Sequence, residues 1–396
     1  MREGWNSIKL VDAVEILNGF AFKSSRYVPE GIRVIRISNV QKGYVEDKDP
    51  KFYPVSSKDE IKKYLLQEGD LLISLTGNVG RVGLLPDSML PCALNQRVAC
   101  LRIKNANLSK MFLFYLLNSN VFENMCIKSS SGVAQLNMST EWLKEQVIPL
   151  PSLPEQQRIV DILDREFAKI DALKANAEKS LQAAKDLFQA SLKKELEPKE
   201  GWKVKTIGEV CEFQNGFAFK SSTFTNTGEP IIRISDIQND EVIDTNVVFF
   251  NPSSYREDLS RFIVYPGDIL IAMSGGTTGK LGMNNTQKCF YLNQRVGVFR
   301  ENKALLNHEF LFHFLHTKSE ESLRISAGAA QPNLSTAQIK AFEIPVPSLQ
   351  EQDRVVVRLN DLNDKCKALQ DNYQKTLTLC DDLKQSLLRK AFNGEL

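Results

Sequence analysis

Two long stretches of the chain place apolar or small residues in alternating steps of four and three. This spacing is the heptad pattern of a helix that buries one stripe of its surface. The clearer series comprises Val355, Leu359, Leu362, Cys366, Leu369, Tyr373, Thr376, Cys380, Leu383 and Leu387. A looser series comprises Ile159, Leu163, Phe167, Ile170, Leu173, Ala177, Leu181, Ala184 and Leu187.

Each stretch begins with the Ser-x-x-Glu spacing of a helix capping box, at Ser152–Glu155 and at Ser348–Glu351. Beyond the first turn, no Gly or Pro occurs before Pro198 or Gly394. We therefore predict two helices of about 40 residues, each about 60 Å long. A seam of that length must be covered. Either the two helices pair in an antiparallel sense or partner proteins cover them, and the matching lengths favour pairing.

About 150 residues of a different character precede each helix. Short alternating patterns typical of strands occur there, such as Val34–Ser38, Leu71–Leu75 and Ile269–Met273, separated by Gly and Asn turns. Amphipathic helices are predicted at Ser109–Met125 and at Asn307–Leu323. This mixture indicates an α+β domain in each half of the chain.

The two halves repeat one another. NGFAFKSS occurs at residues 18–25 and again at 215–222, and matching segments elsewhere keep an offset of 196–198 residues. Such a long period indicates duplicated domains. We predict tandem α+β domains at residues 1–151 and 197–347, each followed by a helical segment, at 152–196 and 348–396. An antiparallel coiled coil of the two helices would make the chain pseudo-twofold symmetric, with the domains at opposite ends of a rod.

Composition and charge restrict this picture only slightly. The net charge is +2, and residues 1–150 carry 19 Lys and Arg against 15 Asp and Glu, whereas residues 200–343 carry 14 against 16. Any contact with nucleic acid must therefore come from a local patch. The seven cysteines form no Cys-x-x-Cys, which argues against a zinc site or a disulfide framework. Without a long apolar stretch or a signal-peptide core, we expect a cytoplasmic protein with no membrane contact.

The motifs that would indicate catalysis are incomplete. Residues 274–281, SGGTTGKL, lack the first Gly and the final Ser or Thr of a phosphate-binding loop, and either a glycine-rich hairpin or a backbone approach to DNA fits better. His308 and His313 are one residue too far apart for the zinc-protease pattern. A nuclease set of Asp268, Glu301 and Lys303 is interrupted and absent from the first copy. We predict no catalytic residue, no metal and no cofactor.

The repeated segments, in their order, resemble the specificity subunit of type I restriction–modification systems over essentially the whole chain. The segments that carry this resemblance are the following pairs and the C-terminal QSLLRKAFNGEL: NGFAFKSS twice, GDLLIS with GDILIA, LNQRV twice, GVAQLN at 132–137 with GAAQPN at 328–333, and the two IPxPSLxEQ helix starts. The first helix departs from the second by lacking the Phe-Asn-Gly ending.

The resemblance implies two target-recognition domains, each for one half of a bipartite site in double-stranded DNA. It also implies that the helices set the gap between the half-sites and dock two adenine methyltransferase subunits, and that separate translocase–nuclease subunits complete the restriction complex. The specificity subunit itself would have no catalytic role. The alternative is a structural adaptor that holds partners on its coiled coil without recognising DNA sequence.

The repeat also sorts candidate DNA contacts. Side chains that differ between the copies are candidates for base contacts, namely Lys42, Tyr44, Lys51, Arg81, Asn239, Asn246, Tyr255 and Arg256. Shared cations are either structural or phosphate contacts. The amides of two small polar loops either contact DNA or cap the helices near Ser139 and Ser335. The predicted DNA-binding set is Lys23, Arg36, Arg81, Arg97, Gln135, Asn137, Lys220, Arg233, Lys280, Arg295, Gln331 and Asn333.

Overall fold

The computed structural model describes residues 4–130, 136–327 and 333–396. The chain divides into two compact units, Met1–Glu178 with Lys375–Leu396, and Lys179–Gln374. Each unit contains one α+β domain together with a part of each long helix, so the mixed fold and the two long helices predicted from the sequence are confirmed. Within the described ranges, no helix combines the length and the apolarity that crossing a bilayer requires.

The domain of the first unit is built on two sheets. The main sheet has the strand order β2-β8-β5-β6, the smaller has β4-β3-β7, and β1 pairs with β9. In chain order the elements are β1 (Asn6–Lys9), α1 (Leu10–Ala13), β2 (Val14–Asn18), β3 (Ile32–Ile35), β4 (Phe52–Tyr53), β5 (Leu71–Ser74), β6 (Val82–Leu84), β7 (Cys92–Leu94), β8 (Val98–Ile103), α2 (Lys110–Leu117), α3 (Asn120–Ser129), α4 (Thr140–Lys144) and β9 (Val147–Leu150), and the long helix α5 (Leu153–Glu195) follows.

The main sheet is covered on both faces, which explains why every residue of β5 is buried. Leu71 and Ile73 pack in one cluster with Phe112 of α2, on one face of the sheet. Leu72 points to the other face and packs with Leu94 of the smaller sheet. Alternate side chains of one strand therefore join two cores, and the layers are helix, main sheet and smaller sheet.

The predicted single helix at Ser109–Met125 is wrong in its continuity. The chain forms two helices, α2 and α3, with a break at Asn118 and Ser119. Asn118 turns back on α2 by donating its side-chain amide to the Phe114 carbonyl at 2.9 Å. The Ser119 hydroxyl accepts the Phe122 N–H at 3.3 Å and so caps the start of α3. Two polar residues thus end one helix and begin the next.

The second unit repeats this plan. Its main sheet has the order β11-β21-β18-β19-β15-β14, the smaller has β12-β16-β13-β20-β17, and β10 pairs with β22. The elements are β10 (Lys203–Thr206), α6 (Ile207–Val210), β11 (Cys211–Asn215), β12 (Phe224–Thr225), β13 (Glu229–Ile232), β14 (Ile237–Gln238), β15 (Asp240–Val242), β16 (Val248–Phe250), β17 (Ile263–Val264), β18 (Ile269–Ala272), β19 (Leu281–Met283), β20 (Phe290–Leu292), β21 (Val296–Glu301), α7 (His308–Thr317), α8 (Ser319–Ala327), α9 (Thr336–Lys340) and β22 (Glu343–Val346), and the long helix α10 (Leu349–Asn393) follows.

Within each unit, the parts of α5 and α10 run antiparallel. In the first unit Arg158 donates to the Leu396 carbonyl at 2.8 Å, and Lys174 pairs with Asp381 at 2.8 Å. Residue numbers thus fall along α10 as they rise along α5. In the second unit Arg358 of α10 pairs with Glu195 of α5 at 2.8 Å. The two long helices therefore pair within each unit.

The predicted burial of the seam is confirmed at several heptad positions. It is wrong at four leucines, which are exposed. Ile170, Ala177, Cys366 and Cys380 are buried. The exposed leucines are Leu173 at 55%, Leu187 at 51%, Leu369 at 41% and Leu383 at 49%.

A buried glutamine fixes each long helix to the domain that precedes it. Gln156 is fully buried. Its oxygen accepts the Ser109 N–H, and its amide donates to the carbonyls of Asn107 and Pro151, all at 2.8 Å. Gln352 repeats the arrangement with the Asn307 N–H and with the carbonyls of Leu305 and Pro347, at 2.7–2.9 Å. The last residue of the repeated SLxEQ motif is therefore a joint between domain and helix.

Candidate nucleic-acid interface

The repeated segments meet at one end of the main sheet. In the first unit, the segment after β2 runs beside the turn before β8. The Phe20 N–H donates to the Leu94 carbonyl at 2.8 Å, and the Gln96 N–H donates to the Phe20 carbonyl at 3.0 Å. Gly19 allows this approach, because a Cβ there would lie 2.2 Å from the Asn95 backbone. Two segments that are distant in sequence, NGFAFKSS and LNQRV, are thus neighbours.

The loop after β5 belongs to the same end. The Leu75 N–H donates to the Arg97 carbonyl at 3.0 Å, and the Met138 N–H donates to the Leu75 carbonyl at 2.8 Å. Thr76 forms an antiparallel bridge with Asn137. The loop returns through Arg81, whose carbonyl accepts the Ser74 N–H at 3.0 Å. The backbone therefore brings Arg81, Arg97 and Asn137 to one end of the sheet.

The second unit has the same backbone pattern. The Phe217 N–H donates to the Leu292 carbonyl at 2.8 Å, and the Met273 N–H donates to the Arg295 carbonyl at 2.9 Å. Lys280 follows the glycine-rich loop, and Ser274 forms a bridge with Asn333. Lys220, Lys280, Arg295 and Asn333 therefore lie at the corresponding end. We call these two regions, around residues 18–25, 74–81 and 95–97 and around 215–222, 274–280 and 293–295, the shared sheet ends.

Aromatic packing explains the shared letters before each lysine. Phe20 and Phe22 lie edge to face with ring centroids 5.1 Å apart, and Phe22 contacts Tyr53 at 4.9 Å. Phe217 and Phe219 keep the same 5.1 Å spacing in the second unit. The phenylalanines thus anchor the segment in the core, and the chain beyond them leaves Lys23 and Lys220 exposed.

The predicted DNA-binding residues fall into three groups. The exposed cations are Lys23, Arg97, Lys220, Lys280 and Arg295, and Asn137 and Asn333 are exposed as well. Gln135 and Gln331 lie outside the described residues. The half-buried members, which have partners within their own unit, are Arg36, Arg81 and Arg233.

The guanidinium groups of the half-buried arginines are engaged. Arg36 pairs with Asp49 at 3.3 Å, and Arg233 pairs with Asp236 at 3.3 Å. Arg81 donates to the Gln41 side chain at 2.7 Å. These three arginines hold neighbouring loops in place, which is the structural alternative that the sequence left open for the shared pair Arg36 and Arg233.

Serines cap the two short helices near the amide loops. The Ser139 hydroxyl accepts the Glu141 N–H at 3.1 Å, and the Ser335 hydroxyl accepts the Gln338 N–H at 3.2 Å. The N-cap position is therefore occupied by a serine in both units. Asn137 and Asn333, two residues earlier, are not the capping residues.

The candidate base-contacting residues differ in their surroundings, since some have partners within the protein and others are exposed. Tyr255 packs against Phe217 at 5.3 Å and accepts the Lys220 N–H at 3.0 Å, so it is part of the aromatic scaffold. Lys51 pairs with Asp49, and Lys42 pairs with Glu123 at 2.6 Å. Tyr44, Asn239, Asn246 and Arg256 are exposed.

One shared ion pair was missed from the sequence. Asp70 pairs with Arg102 at 2.7 Å, and Asp268 pairs with Arg300 at 3.0 Å. Each carboxylate also accepts a backbone N–H, from Gln67 at 2.8 Å and from Tyr265 at 2.9 Å. This pairing explains the shared Gly-Asp before β5 and β18. The only sequence signal was that an Asp and an Arg recur in both copies.

Two stretches of the chain, residues 2–183 and 199–379, match the type I restriction modification DNA specificity domain. The chain belongs to this family. It is 25% identical to the type I restriction enzyme EcoBI specificity subunit of Escherichia coli over 430 residues, covering 100% of this chain and 87% of the relative. It is 24% identical to the EcoKI specificity subunit of Escherichia coli strain K12 over 421 residues, covering 100% and 89%.

Solved structures agree on the fold. A chain from a structural study of complex assembly and conformational transition of the type I restriction–modification system has a TM-score of 0.79 at 20% identity, with 100% of this chain and 99% of that chain covered. The HsdS subunit from Thermoanaerobacter tengcongensis has a TM-score of 0.55 at 19% identity, with 100% and 98% covered.

Family membership decides between the two functions that the sequence left open. The chain is a DNA specificity subunit, and the adaptor without DNA recognition is not favoured. Specificity subunits are not catalytic, and partner subunits carry out methylation and cleavage. Asp268, a member of the interrupted nuclease set, pairs with Arg300, and Asp70 makes the equivalent pair with Arg102 in the first domain.

Proposed function

We propose that each α+β domain recognises one half of a bipartite site in double-stranded DNA through its shared sheet end. The observation that carries this proposal is the duplication of that end. Both copies have the same aromatic anchors and the same backbone pairing, and both leave lysine and arginine side chains exposed. Exposed cations on a fixed framework suit the phosphate backbone, which gives affinity and register without sequence information.

The exposed shared cations Lys23, Arg97, Lys220 and Arg295 are the proposed phosphate contacts, and Lys280 joins them in the second domain. Arg36, Arg81 and Arg233 support the contact loops through their intramolecular partners. They contact DNA only if DNA replaces those partners. Asn137 and Asn333, with Gln135 and Gln331 added on the sequence repeat alone, are proposed to bond base edges or phosphates. A side-chain amide can donate to and accept from an adenine edge.

Base selection is assigned to the edge of each main sheet. The backbone is equivalent here, because Val40 pairs with Val45 in the first domain as Ile237 pairs with Val242 in the second. The side chains differ, because Asn239 stands at the place of Lys42 and Glu241 at the place of Tyr44. Gly43 donates to the Val82 carbonyl at 2.8 Å, which holds the turn beside the start of β6 and near Arg81. Side chains of different chemistry at equivalent places suit two different half-site sequences.

Exchange of one domain tests this assignment. We expect that replacing residues 1–151 with the equivalent region of a related specificity subunit changes one half of the methylated sequence and leaves the other half intact. Genome-wide mapping of methylated adenines in cells with the complete system gives the readout. The reciprocal exchange of residues 197–347 is the control and should change the other half. A change in both halves from either exchange would contradict independent recognition.

The chain assembles with methyltransferase and restriction subunits as a member of its family. We further propose that it carries two methyltransferase subunits, one on each unit. At the predicted heptad positions, each unit exposes one leucine from each long helix: Leu173 and Leu383 in the first, Leu187 and Leu369 in the second. Apolar side chains at heptad positions that the partner helix leaves uncovered suit docking by another protein.

The stoichiometry is measured by native mass spectrometry of the purified complex. The double variant Leu173→Asp, Leu383→Asp should retain one methyltransferase subunit, and adding Leu187→Asp and Leu369→Asp should remove both. Since all four side chains are exposed, the chain should fold in each case, which circular dichroism checks. Retention of two subunits by the fourfold variant would overturn the docking assignment without affecting the DNA assignment.

A further inference from the structure

All three histidines of the chain lie on α7 of the second unit. His313 Nε2 lies 2.7 Å from the Asn360 oxygen on α10, and the Asn360 amide donates to Glu309 at 2.6 Å. Because the Asn360 amide group faces Glu309, its oxygen accepts from His313, which therefore carries its proton on Nε2. His316 Nε2 lies 3.6 Å from Asp240 Oδ1 on the hairpin β14–β15. α7 thus stands between the long helix and the hairpin.

The hairpin forms the edge of the main sheet, next to the shared sheet end. β15 pairs in parallel with β19, with Asp240 opposite Gly282, so the start of β15 lies beside the second residue after Lys280. Asn239 and Asp240 form the tip with φ of 52° and 66°. A cavity of about 280 Å³ separates the tip from the glycine-rich loop, and Asn239, Lys280 and His316 line it. His316 therefore contacts the element that carries Asn239.

Both inner histidines are held in the neutral form at pH 7. Burial lowers the pKa of His313, and the nearby carboxylates of Glu309 and Asp240 raise it only in part. Burial also lowers the pKa of His316, against Asp240, while His313 and Lys367 act in the same direction as burial. These groups come from α7, α10 and the hairpin, the elements packed around the pair. Protonation therefore places a charge where the protein solvates it poorly.

The first unit makes the equivalent contacts with other residue types. The residues equivalent to His313 and His316 are Tyr115 and Asn118. Tyr115 bonds Asp164 of α5, as His313 bonds Asn360 of α10. The edge turn is held by Lys42, which pairs with Glu123 of α3 at 2.6 Å. This anchor contains no histidine, the side chain whose ordinary pKa lies nearest to neutral pH.

We propose that His316 is a positioning residue for the hairpin of residues 237–242, and that its protonation weakens recognition of the second half-site while leaving the first unchanged. This inference rests on the proposed function. When His316 takes up a proton, its side chain is better solvated outside the cavity, and its departure removes the contact that holds Asp240. The released state binds the proton more tightly, so it gains population as the pH falls below the ordinary histidine pKa of about 6.5.

The experiment uses the complex of the full chain with its methyltransferase subunits. Affinities are measured at pH 5.5, 6.5 and 7.5 for the cognate duplex and for duplexes altered in one half-site. For the wild type, we expect discrimination at the second half-site to fall by roughly threefold or more from pH 7.5 to 5.5, and discrimination at the first to stay constant. His316→Asn, which copies the first domain, should remove the pH dependence. His308→Asn, a control on the same helix, should behave as the wild type.

A second measurement follows the hairpin without DNA. Hydrogen exchange of residues 237–242 should accelerate at pH 5.5, after correction for the intrinsic rate, in the wild type and not in His316→Asn. The proposal would be overturned if discrimination at the second half-site did not change with pH in the wild type. It would also be overturned if the pH dependence persisted in His316→Asn. If no half-site alteration changes the affinity at any pH, the proposed function fails, and the hydrogen-exchange result still decides the role of His316.

Discussion

The two specificity domains have one framework and two different edges. At the shared sheet ends, Phe20 and Phe217 make the same backbone pairing, and an exposed lysine follows in each copy. At the edge of the main sheet, Lys42 ties the turn at residues 40–45 to Glu123, whereas the equivalent hairpin β14–β15 contacts His316. Duplication has thus kept the residues that build and orient the interface, and the side chains that would distinguish bases have diverged.

The attachment of each domain to the long helices shows the same division. Gln156 and Gln352 make equivalent sets of three hydrogen bonds in the two units. The neighbouring contact differs, because Tyr115 is replaced by His313. Burial raises the pKa of Tyr115, and the bond to Asp164 raises it further, so Tyr115 stays protonated at physiological pH. At this contact the second unit has a histidine instead, whose pKa burial lowers.

The largest effect is expected from changing the helices, which act on both domains at once. A two-residue insertion in α5 and in α10, between Glu178 and Lys179 and between Gln374 and Lys375, rotates the following segment by about 200°. We expect loss of binding to the bipartite site, because one recognition domain then meets the wrong face of the DNA.

A four-residue insertion at the same places is the matched comparison. It adds about 6 Å and about 40° beyond a full turn, which corresponds to one or two base pairs of about 3.4 Å each. The gap in the methylated sequence should lengthen by about one or two pairs, with both half-sites unchanged. An unchanged gap in an active four-residue variant would mean that partner subunits, and not these helices, set the spacing.

The junction between the units is a better place for insertion than the end of the first helix. Leu192 and Leu196 are buried in the core of the second unit, so an insertion near Lys193 would disturb that core. The sequence predicted a continuous helix there and gave no sign of this packing, because a heptad pattern does not distinguish a partner helix from a domain as the covering surface.

The next largest effect concerns the shared glutamine joints. Gln156→Ala and Gln352→Ala each leave one buried carbonyl, one partly buried carbonyl and one partly buried N–H without their partner. We expect each to lower the free energy of opening at the joint by about 3 kcal/mol. Hydrogen exchange of the Ser109 and Asn307 amides, which donate to these side chains, measures the change locally. Gln157→Ala and Gln350→Ala, at exposed neighbouring positions, are the controls and should leave both amides protected. A large difference between the two joints would break the equivalence of the units.

The glutamine joints illustrate what the sequence predicts and what it does not. The repeat, the heptads and the capping boxes predicted two α+β domains and two long helices, all of which the structure contains. The motif containing Gln156 was recognised as a repeated segment, but its role depends on Asn107 and Ser109, which are distant in sequence. The ion pair of Asp70 with Arg102 was missed for the same reason. Local periodicity predicts elements, whereas contacts between distant residues leave no linear pattern.

The candidate site was predicted in part. Repetition selected Lys23, Arg97 and their counterparts, which the structure leaves exposed at one end of the sheet, but it also selected Arg36, which pairs with Asp49. A shared arginine looks the same in a sequence whether it faces solvent or a carboxylate. The difference depends on which loop the fold brings beside it, and only the structure supplies that information.

Smaller and equal effects are expected from the exposed arginines. Arg97→Ala and Arg295→Ala should each weaken DNA binding about tenfold at 0.15 M salt and reduce the slope of log affinity against log salt by about 0.9, because each removes one phosphate contact. Fluorescence titrations at several salt concentrations measure both quantities. Lys104→Ala, an exposed cation beyond the opposite end of β8, is the control and should change neither. A slope that falls for Arg97→Ala and not for Arg295→Ala would show that only one domain uses its shared sheet end.

The smallest effect is expected at the contacts that hold the edges of the two main sheets, Lys42 with Glu123 and Asp240 with His316. Lys42 and Glu123 are partly exposed, with 35% and 24% of their side chains accessible, so solvent screens their attraction. We expect Lys42→Met to lower the local stability of the turn at residues 40–45 by about 0.5 kcal/mol, as is typical of such pairs. The loss should be the same at pH 5.5 and pH 7.5, since lysine and glutamate ordinarily remain charged at both. Hydrogen exchange of this turn measures the effect, and Lys48→Met, an exposed neighbour, serves as the control.

The corresponding variant of the second domain, Asp240→Asn, removes a carboxylate that favours the protonated form of His316. It should therefore extend the pH dependence of hydrogen exchange in the hairpin to lower pH than in the wild type. If Lys42→Met instead produced a loss that grew toward acid, the first edge would also contain a group that titrates near neutrality, and the contrast between the domains would not hold.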